Sequence, residues 1–230
     1  MNQLITTGII LTRTDFGEAD RILTILTPEY GKLRLIAKGV RRVKSKLAGG
    51  IELFSISDLT FIRGRGEVGT LVSARLKRHY AHIVEDLPRA MVGYDLIKQL
   101  HKTTEDEPEM EYFALLQSAF EALDNHNISC DLIRIWFISQ LLKLAGHTPN
   151  FQTDDVGKKL SPEMKYKFSF ETMAFKPATT GRFDQNHIKI LRILFSANPP
   201  HLIAKVRGST EFLSDLAPLI QSLSTAQLHA

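Results

Sequence analysis

The hydrophobic period of this chain changes once, near Tyr80, and that change constrains the fold more than any other feature. Before it, apolar residues tend to alternate with polar ones in short runs. After it, they recur at helical spacing. The first run, Leu4 to Thr14, stops at the turn signal Asp15-Phe16-Gly17. Arg21 to Thr27 follows, reversed by Pro28-Glu29-Tyr30-Gly31, and then Lys32 to Ile36, which nearly alternates as a sheet with one wet face does. After a loop come two longer runs, Ile51 to Arg63 and Glu67 to Arg78, joined at Gly64-Arg65-Gly66. Five strands with no helix of length between them predict a small closed or half-closed barrel over residues 1–80 rather than a sandwich.

Residues 81–230 read as a mainly helical domain, so the predicted class is α+β. Asp86-Leu87-Pro88 opens a helix with Asp86 as N-cap and Pro88 at the first helical position; Met91, Tyr94, Ile97 and Leu100 mark its apolar positions. A second helix opens near Glu107-Pro108 and carries Tyr112, Phe113, Leu115, Leu116, Phe120 and Leu123. The third, from about Asp131 to Ala145, is apolar over much of its girth, with Trp136 as its largest anchor and Gly146 just past its end. Residues 147–182 break the pattern as an irregular insertion, in which Lys165–Phe170 and Met173–Lys176 form a short β-hairpin. Asp184 caps a helix through Phe195, stopped by Asn198-Pro199-Pro200, and a last helix spans Thr210 to Leu223 with Pro218 as a kink.

Charge is divided unevenly between these regions. Residues 1–80 hold 14 Lys and Arg against 7 Asp and Glu, whereas the other 150 residues hold 15 against 18. This asymmetry points to a polyanion partner for the barrel; a merely solvated basic surface would produce it too. The densest feature is Lys38-Gly39-Val40-Arg41-Arg42-Val43-Lys44-Ser45-Lys46, five cations in nine residues with no acid. Such side chains repel one another unless an anion sits among them, and neutralised phosphates release counterions that drive binding. Arg21, Arg34, Arg63, Arg65, Arg75, Lys77 and Arg78 extend the patch across a barrel face, giving nucleic acid as the expected partner. Of the five aromatic residues in this third, Phe54 and Phe61 lie in apolar strand contexts and belong to the core. Phe16 and Tyr30, both at turns, are the candidate base stackers. A basic surface with few rings grips backbone more than bases, so weak sequence preference and tolerance of single and double strands are expected.

Other patterns carry little chemistry. Gly64-Arg65-Gly66-Glu67-Val68-Gly69 matches a dinucleotide fingerprint, but a strand follows it where a helix N-terminus is needed. His79-x-x-His82 lacks a third metal ligand and reads as a basic surface segment. The single Cys130 forms no internal disulfide and no cysteine cage, which predicts a protein of a reducing compartment. No secretory signal opens the chain and no apolar run reaches the roughly 20 residues of a membrane span, so a cytoplasmic, nucleoid-associated location is expected. No catalytic constellation, metal site or cofactor site is visible. The compact group Asp15, Glu18 and Asp20 is the one opening for a metal-dependent nuclease, and it reads instead as a turn balanced by Arg13 and Arg21.

Taken in order, Gly8-Ile9-Ile10-Leu11, Phe16-Gly17-Glu18-Ala19-Asp20-Arg21-Ile22-Leu23-Thr24, Tyr30-Gly31-Lys32-Leu33, Ala37-Lys38-Gly39-Val40-Arg41-Arg42 and Ser45-Lys46-Leu47-Ala48-Gly49-Gly50 resemble the N-terminal region of the bacterial RecO proteins. The likeness is firm over about the first 60 residues and continues as pattern beyond residue 80. It implies an OB-fold barrel followed by a helical domain, in a non-enzymatic recombination mediator of DNA repair. By resemblance, such a protein binds single- and double-stranded DNA, anneals complementary strands and contacts the acidic tail of single-stranded DNA-binding protein. It works with RecR to help load RecA. Arg21, Lys38, Arg41, Arg42, Lys44 and Lys46 inherit the DNA-binding role, and Arg134 or Lys143 beside an apolar groove is the candidate seat of the tail. Many members carry a four-cysteine zinc module near residues 147–178. Without cysteine there, no metal is expected, and packing around Phe168, Phe170 and Phe175 takes its place. The alternative reading is an RNA-binding OB protein acting on structured RNA.

Overall fold

The computed structural model describes residues 2–64, 66–104 and 110–228. The chain divides into two compact units, Met1–His126 and Asn127–Ala230. The change from strand to helix falls at Tyr80, as the hydrophobic period predicts, but the first unit continues beyond it through three helices.

In the first unit five strands, β1 (Gln3–Phe16), β2 (Asp20–Thr27), β3 (Gly31–Ala37), β4 (Ser55–Ile62) and β5 (Val68–His79), close into a barrel in the order β1-β2-β3-β5-β4. β1 is long enough to pair with both β2 and β4, and a register shift between Ile10 and Thr12 bends it from one partner to the other. The seal between β3 and β5 is short, three parallel pairs from Arg34↔Val68 to Ile36↔Thr70. Alternation puts Ile10, Leu23, Ile25, Leu35, Leu59, Phe61 and Leu71 inside, joined by Val40 and Ile51 from the β3–β4 connection. The expected fourth strand is trimmed: residues 51–54 form the end of that connection, because Phe54 adopts a left-handed backbone (φ 54°) that ends the extended run.

Phe54 and Phe61 are core residues, as their context predicts. Phe54 meets Tyr94 at 5.0 Å and Phe120 at 5.5 Å, and Phe120 meets Tyr80 at 5.6 Å, all edge-on. This cluster joins the barrel to α2 (Leu87–Thr103) and α3 (Met110–Leu123), which follow the short α1 (Ala81–Glu85). The expected start of α3 near Glu107-Pro108 lies outside the described residues. Asp86 caps α2 by accepting the Arg89 amide, and Pro88 takes the second helical position rather than the first.

The apolar face of α2 differs from the expected one. Met91 and Tyr94 are 60% and 52% exposed; the buried stripe is Arg89, Val92, Gly93, Leu96, Ile97 and Leu100. Two residues disguised this register. Arg89 is buried because its guanidinium donates to the Leu123 carbonyl (2.8 Å) and the His126 carbonyl (3.1 Å), where α3 ends. Gly93 is buried because a Cβ there would stand 2.5 Å from the Phe54 ring.

The second unit is built on α4 (Cys130–Leu144), which packs against α5 (Gln185–Leu194), α6 (Pro200–Ile203) and α7 (Leu213–Gln227). As expected, α4 is buried around most of its circumference, and the Trp136 indole donates to the Asn198 carbonyl at 2.9 Å. Gly146 beyond its end has φ 82°, a conformation open to glycine. Between α4 and α5 lies a sheet of three strands, one more than the hairpin reading expects: β6 (Asn150–Asp154), β7 (Tyr166–Ser169) and β8 (Ala174–Pro177), in the order β6-β8-β7. Phe175 and Tyr166 are its fully buried centre, with Phe151, Phe168 and Phe183 around Phe175. Phe170 does not belong to that core; it is 46% exposed and meets the ring of the partly buried Phe168 edge-on at 5.2 Å. Asp154 folds the turn after β6 by accepting the amides of Val156 and Lys158.

Candidate nucleic-acid interface

The cationic segment 38–46 is a loop with a fixed base and an open tip. Its base is held by three contacts. Gly39 has φ 65°, which turns its amide onto the Asp20 carboxylate at 2.7 Å. The Arg41 amide donates to the Ala19 carbonyl at 2.9 Å, and the Val40 side chain is buried in the barrel core. Burial of such a side chain is worth about 1.5–3 kcal/mol, enough to offset the mutual repulsion of exposed cations in water. Beyond the base, Arg42, Val43, Lys44 and Lys46 stand exposed, Val43 completely so. Farther along, Gly50 presses on β5, where a Cβ would lie 2.5 Å from the Ala74 carbonyl oxygen.

The candidate DNA-binding residues fall into distinct situations. Lys38, Arg42, Lys44 and Lys46 are exposed and form no ion pair among the described residues. Arg21 and Arg41 lie at the β1–β2 turn and share one carboxylate, Asp15, at 2.9 and 3.5 Å. The Arg21 hydrogen bond and the two positive charges hold the Asp15 carboxyl below the usual carboxylate range. Phe16, next in sequence, is 51% exposed, as a stacking ring requires. Arg75 is exposed on β5, and Lys77 lies 3.7 Å from Asp58. Arg78 is committed elsewhere, to Glu121 at 2.8 Å and the face of Tyr80 at 4.8 Å. Arg65 lies outside the described residues.

The remaining two cations gather at the other end of β3. Arg63 lies over the Tyr30 ring at 5.3 Å, and Tyr30 sits edge-on against Phe61 at 5.5 Å. Tyr30 is therefore partly buried at the barrel mouth, with its face already covered by a cation, and does not present a bare stacking platform. Arg34 pairs loosely with Glu67 at 3.8 Å. Together with Lys32, Arg34 and Arg63 line a cleft of about 370 Å³ where β3 and β5 are least sealed. Arg34 stands four residues before Lys38 along β3, so about 13 Å of strand separates the cleft from the start of the loop. Lys32, Arg34 and Arg63 thus gather at the cleft, and Lys38, Arg42, Lys44 and Lys46 on the loop that follows β3.

The acidic residues near the loop are what residue-by-residue reading missed. Arg13 does not balance the turn; it pairs with Glu52 at 2.8 Å. Asp15 serves the two arginines and Asp20 serves the loop amide, so Asp15, Glu18 and Asp20 do not converge as metal ligands would. Among the described residues no group of three or more His, Cys, Asp and Glu is placed to hold a metal. The cross-strand register Asp15↔Arg21 was the available signal, since it follows once the β1–β2 turn is fixed.

In the second unit, Arg134 lines a groove of about 460 Å³ between the N-terminal turns of α4 and α7, with the carboxylate of Asp131, the hydroxyl residues Ser129, Thr210 and Ser214, and the apolar Ile135, Leu213 and Ala217. Lys143 is exposed nine residues farther along α4, about 13 Å away, and does not line that groove. No helix among the described residues is long and apolar enough to cross a membrane.

Comparison with known proteins addresses both units. A family model described as recombination protein O, N terminal, matches residues 1–80, and one described as recombination protein O, C terminal, matches residues 89–229. A DNA repair protein RecO of Dehalococcoides mccartyi is 32% identical over 225 residues, covering 94% of this chain and 87% of that protein. A DNA repair protein RecO of Bifidobacterium adolescentis is 32% identical over 165 residues, 70% of this chain and 67% of that protein. One from Trichodesmium erythraeum is 35% identical over 144 residues, 61% and 48% respectively.

The Asp20 contact gives a direct test of how the loop is held. Asp20→Ala is expected to lower stability by about 1–3 kcal/mol, as loss of a charge-assisted hydrogen bond does. It is also expected to abolish the slow hydrogen exchange of the Gly39 amide. Unchanged exchange at Gly39 would show that the loop is fixed by other means.

Proposed function

This chain belongs to the RecO family of DNA repair and recombination proteins. From that premise we propose that it is a non-enzymatic recombination mediator that grips the backbones of single- and double-stranded DNA through the loop 38–46. The observation that carries this reading is the set of four exposed cations, Lys38, Arg42, Lys44 and Lys46, unpaired among the described residues on a loop whose base is fixed. A fixed cationic loop screens the repulsion between two phosphate backbones. Base pairing then supplies the favourable free energy of annealing, and the protein lowers the electrostatic barrier to approach. The same grip suits handing DNA coated by single-stranded DNA-binding protein to RecA, together with RecR. Family membership does not favour the RNA-binding alternative.

Two properties support weak sequence preference. The cations reach from a loop that carries no side-chain amide, so the Asn or Gln pairing that reads adenine is not available there. One exposed ring, Phe16, lies at the adjacent turn, enough to stack a single base and not a run of them. For about five phosphates contacted on a single strand, the logarithm of affinity is expected to fall against the logarithm of salt with a slope near −3.5. Replacing Arg42, Lys44 and Lys46 by Ala is expected to flatten that slope by about 2 and to slow annealing. An affinity insensitive to salt, or a slope unchanged in the triple variant, contradicts the proposal.

A second contact is favoured by the groove at Arg134. Its apolar wall and a guanidinium at its edge suit the acidic, apolar-ended tail of single-stranded DNA-binding protein. Binding of a labelled tail peptide to the full chain is expected to weaken on the order of tenfold in Arg134→Glu and much less in Lys143→Glu. Equal loss in both variants, or none in either, removes the groove as the seat of the tail.

A further inference from the structure

The loop 38–46 holds no acid, yet one carboxylate sits against its base. Asp15 is the last residue but one of β1, paired opposite Arg21, and each of its oxygens faces a different arginine: Oδ1 receives Arg21 Nε at 2.9 Å, and Oδ2 stands 3.5 Å from Arg41 Nη2. A second nitrogen of Arg41, Nη1, reaches the Gly17 carbonyl at 3.4 Å. One anion with two oxygens therefore bridges two guanidinium groups. The two non-bridging oxygens of a phosphodiester present the same pair of acceptors to the same donors. The Asp15 side chain is 53% exposed, and those of Arg21 and Arg41 are 31% and 38% exposed. Water and an incoming anion thus reach the bridge from outside.

The neighbouring acids do not share this position. Asp20 accepts the Gly39 amide and maintains the loop. Glu18 is exposed on the same turn and forms no ion pair among the described residues. Arg13 is occupied by Glu52. Among the described residues, Asp15 is the carboxylate that pairs with both Arg21 and Arg41.

We propose that Asp15 is an internal competitor for backbone phosphate, occupying the anion position between Arg21 and Arg41 and thereby limiting the affinity of the barrel for nucleic acid. This inference rests on the DNA-binding reading given above. Lys38, Arg42, Lys44 and Lys46 make the first contacts, because nothing has to be displaced from them. Arg21 and Arg41 join when a phosphate replaces the Asp15 carboxylate, and they return to it when the strand leaves. A protein that must release strands after pairing them is served by such an exchange, because an exposed ion pair of this kind is weak enough to open.

The test compares two substitutions that remove the same charge from the same turn. Wild type, Asp15→Asn and Glu18→Gln are titrated with an oligothymidine single strand at fixed moderate salt, with thermal melting to confirm that all three are folded. Asp15→Asn is expected to tighten binding on the order of fivefold and to steepen the salt dependence by about 0.7 to 1.4, for one or two added phosphate contacts. Glu18→Gln is expected to change affinity less than about twofold, as an unpaired surface charge does. The gain from Asp15→Asn is expected to vanish when Arg21 and Arg41 are both Ala, since the two effects share one site. Equal gains in Asp15→Asn and Glu18→Gln would overturn the inference in favour of a general charge effect. Weaker binding by Asp15→Asn would overturn it in favour of a scaffold that holds the arginines for DNA. A wild-type protein that binds no single strand would overturn the DNA-binding reading itself and this inference with it.

Discussion

The hydrogen bond from the Gly39 amide to the Asp20 carboxylate, with the Arg41 amide on the Ala19 carbonyl and Val40 in the barrel core, turns a stretch of five cations into a defined surface. Lys38, Arg41, Arg42, Lys44 and Lys46 repel one another, and a free chain of this composition would extend into solvent. Here the β1–β2 turn supplies an acceptor, glycine supplies the left-handed backbone that reaches it, and Val40 enters the barrel core two residues past Lys38. The energetic work is done by one charge-assisted contact and one apolar anchor. Lys38, Arg42, Lys44 and Lys46 are left exposed and without an ion pair among the described residues. Charge neutralisation occurs at the base of the loop through Asp15, and elsewhere through Glu52 on Arg13 and Glu121 on Arg78.

The rest of the first unit supports that turn. β1 reaches from β4 at one end to the β2 hairpin at the other, so the turn that holds the loop follows directly on a strand that pairs on both of its sides. The Phe54 ring meets Tyr94 of α2 and Phe120 of α3, and Phe120 also meets Tyr80, so these rings tie the barrel to both helices. Tyr80 is fully buried there, and burial pushes its phenol up to about 12.

Much of this is legible in the residues because strands announce themselves by alternation. Leu4–Thr14, Arg21–Thr27 and Lys32–Ile36 were each within two residues of the observed ends, and the turn signals Gly17 and Gly31 both carry positive φ. Asp184 was readable as a cap because an aspartate before a helical period has few other roles; it accepts the amides of Asn186 and His187. The α2 register was not readable, since Arg89 and Gly93 sit on the buried stripe for reasons that lie on α3 and on Phe54. Strand β6 was hidden for a similar cause: Asn150–Asp154 carries one large apolar residue, Phe151, and finds its pairing with β8 only in three dimensions. The candidate site shows the same division. The loop 38–46 stands out by charge density alone, whereas the cleft that brings Arg34 and Arg63 together depends on how the barrel closes. The roles of Asp15 and Asp20 depend on contacts across a turn.

The central claim is that nucleic-acid backbone rests on the loop between β3 and β4 and on the adjoining β1–β2 turn. An amide-resolved NMR titration of the full chain with a short oligothymidine strand tests it most directly. The largest shifts are expected at residues 38–46 and at Asp15 and Phe16, fading as salt is raised. Shifts confined to the cleft near Arg34 and Arg63, or to the helices of residues 127–228, would contradict it.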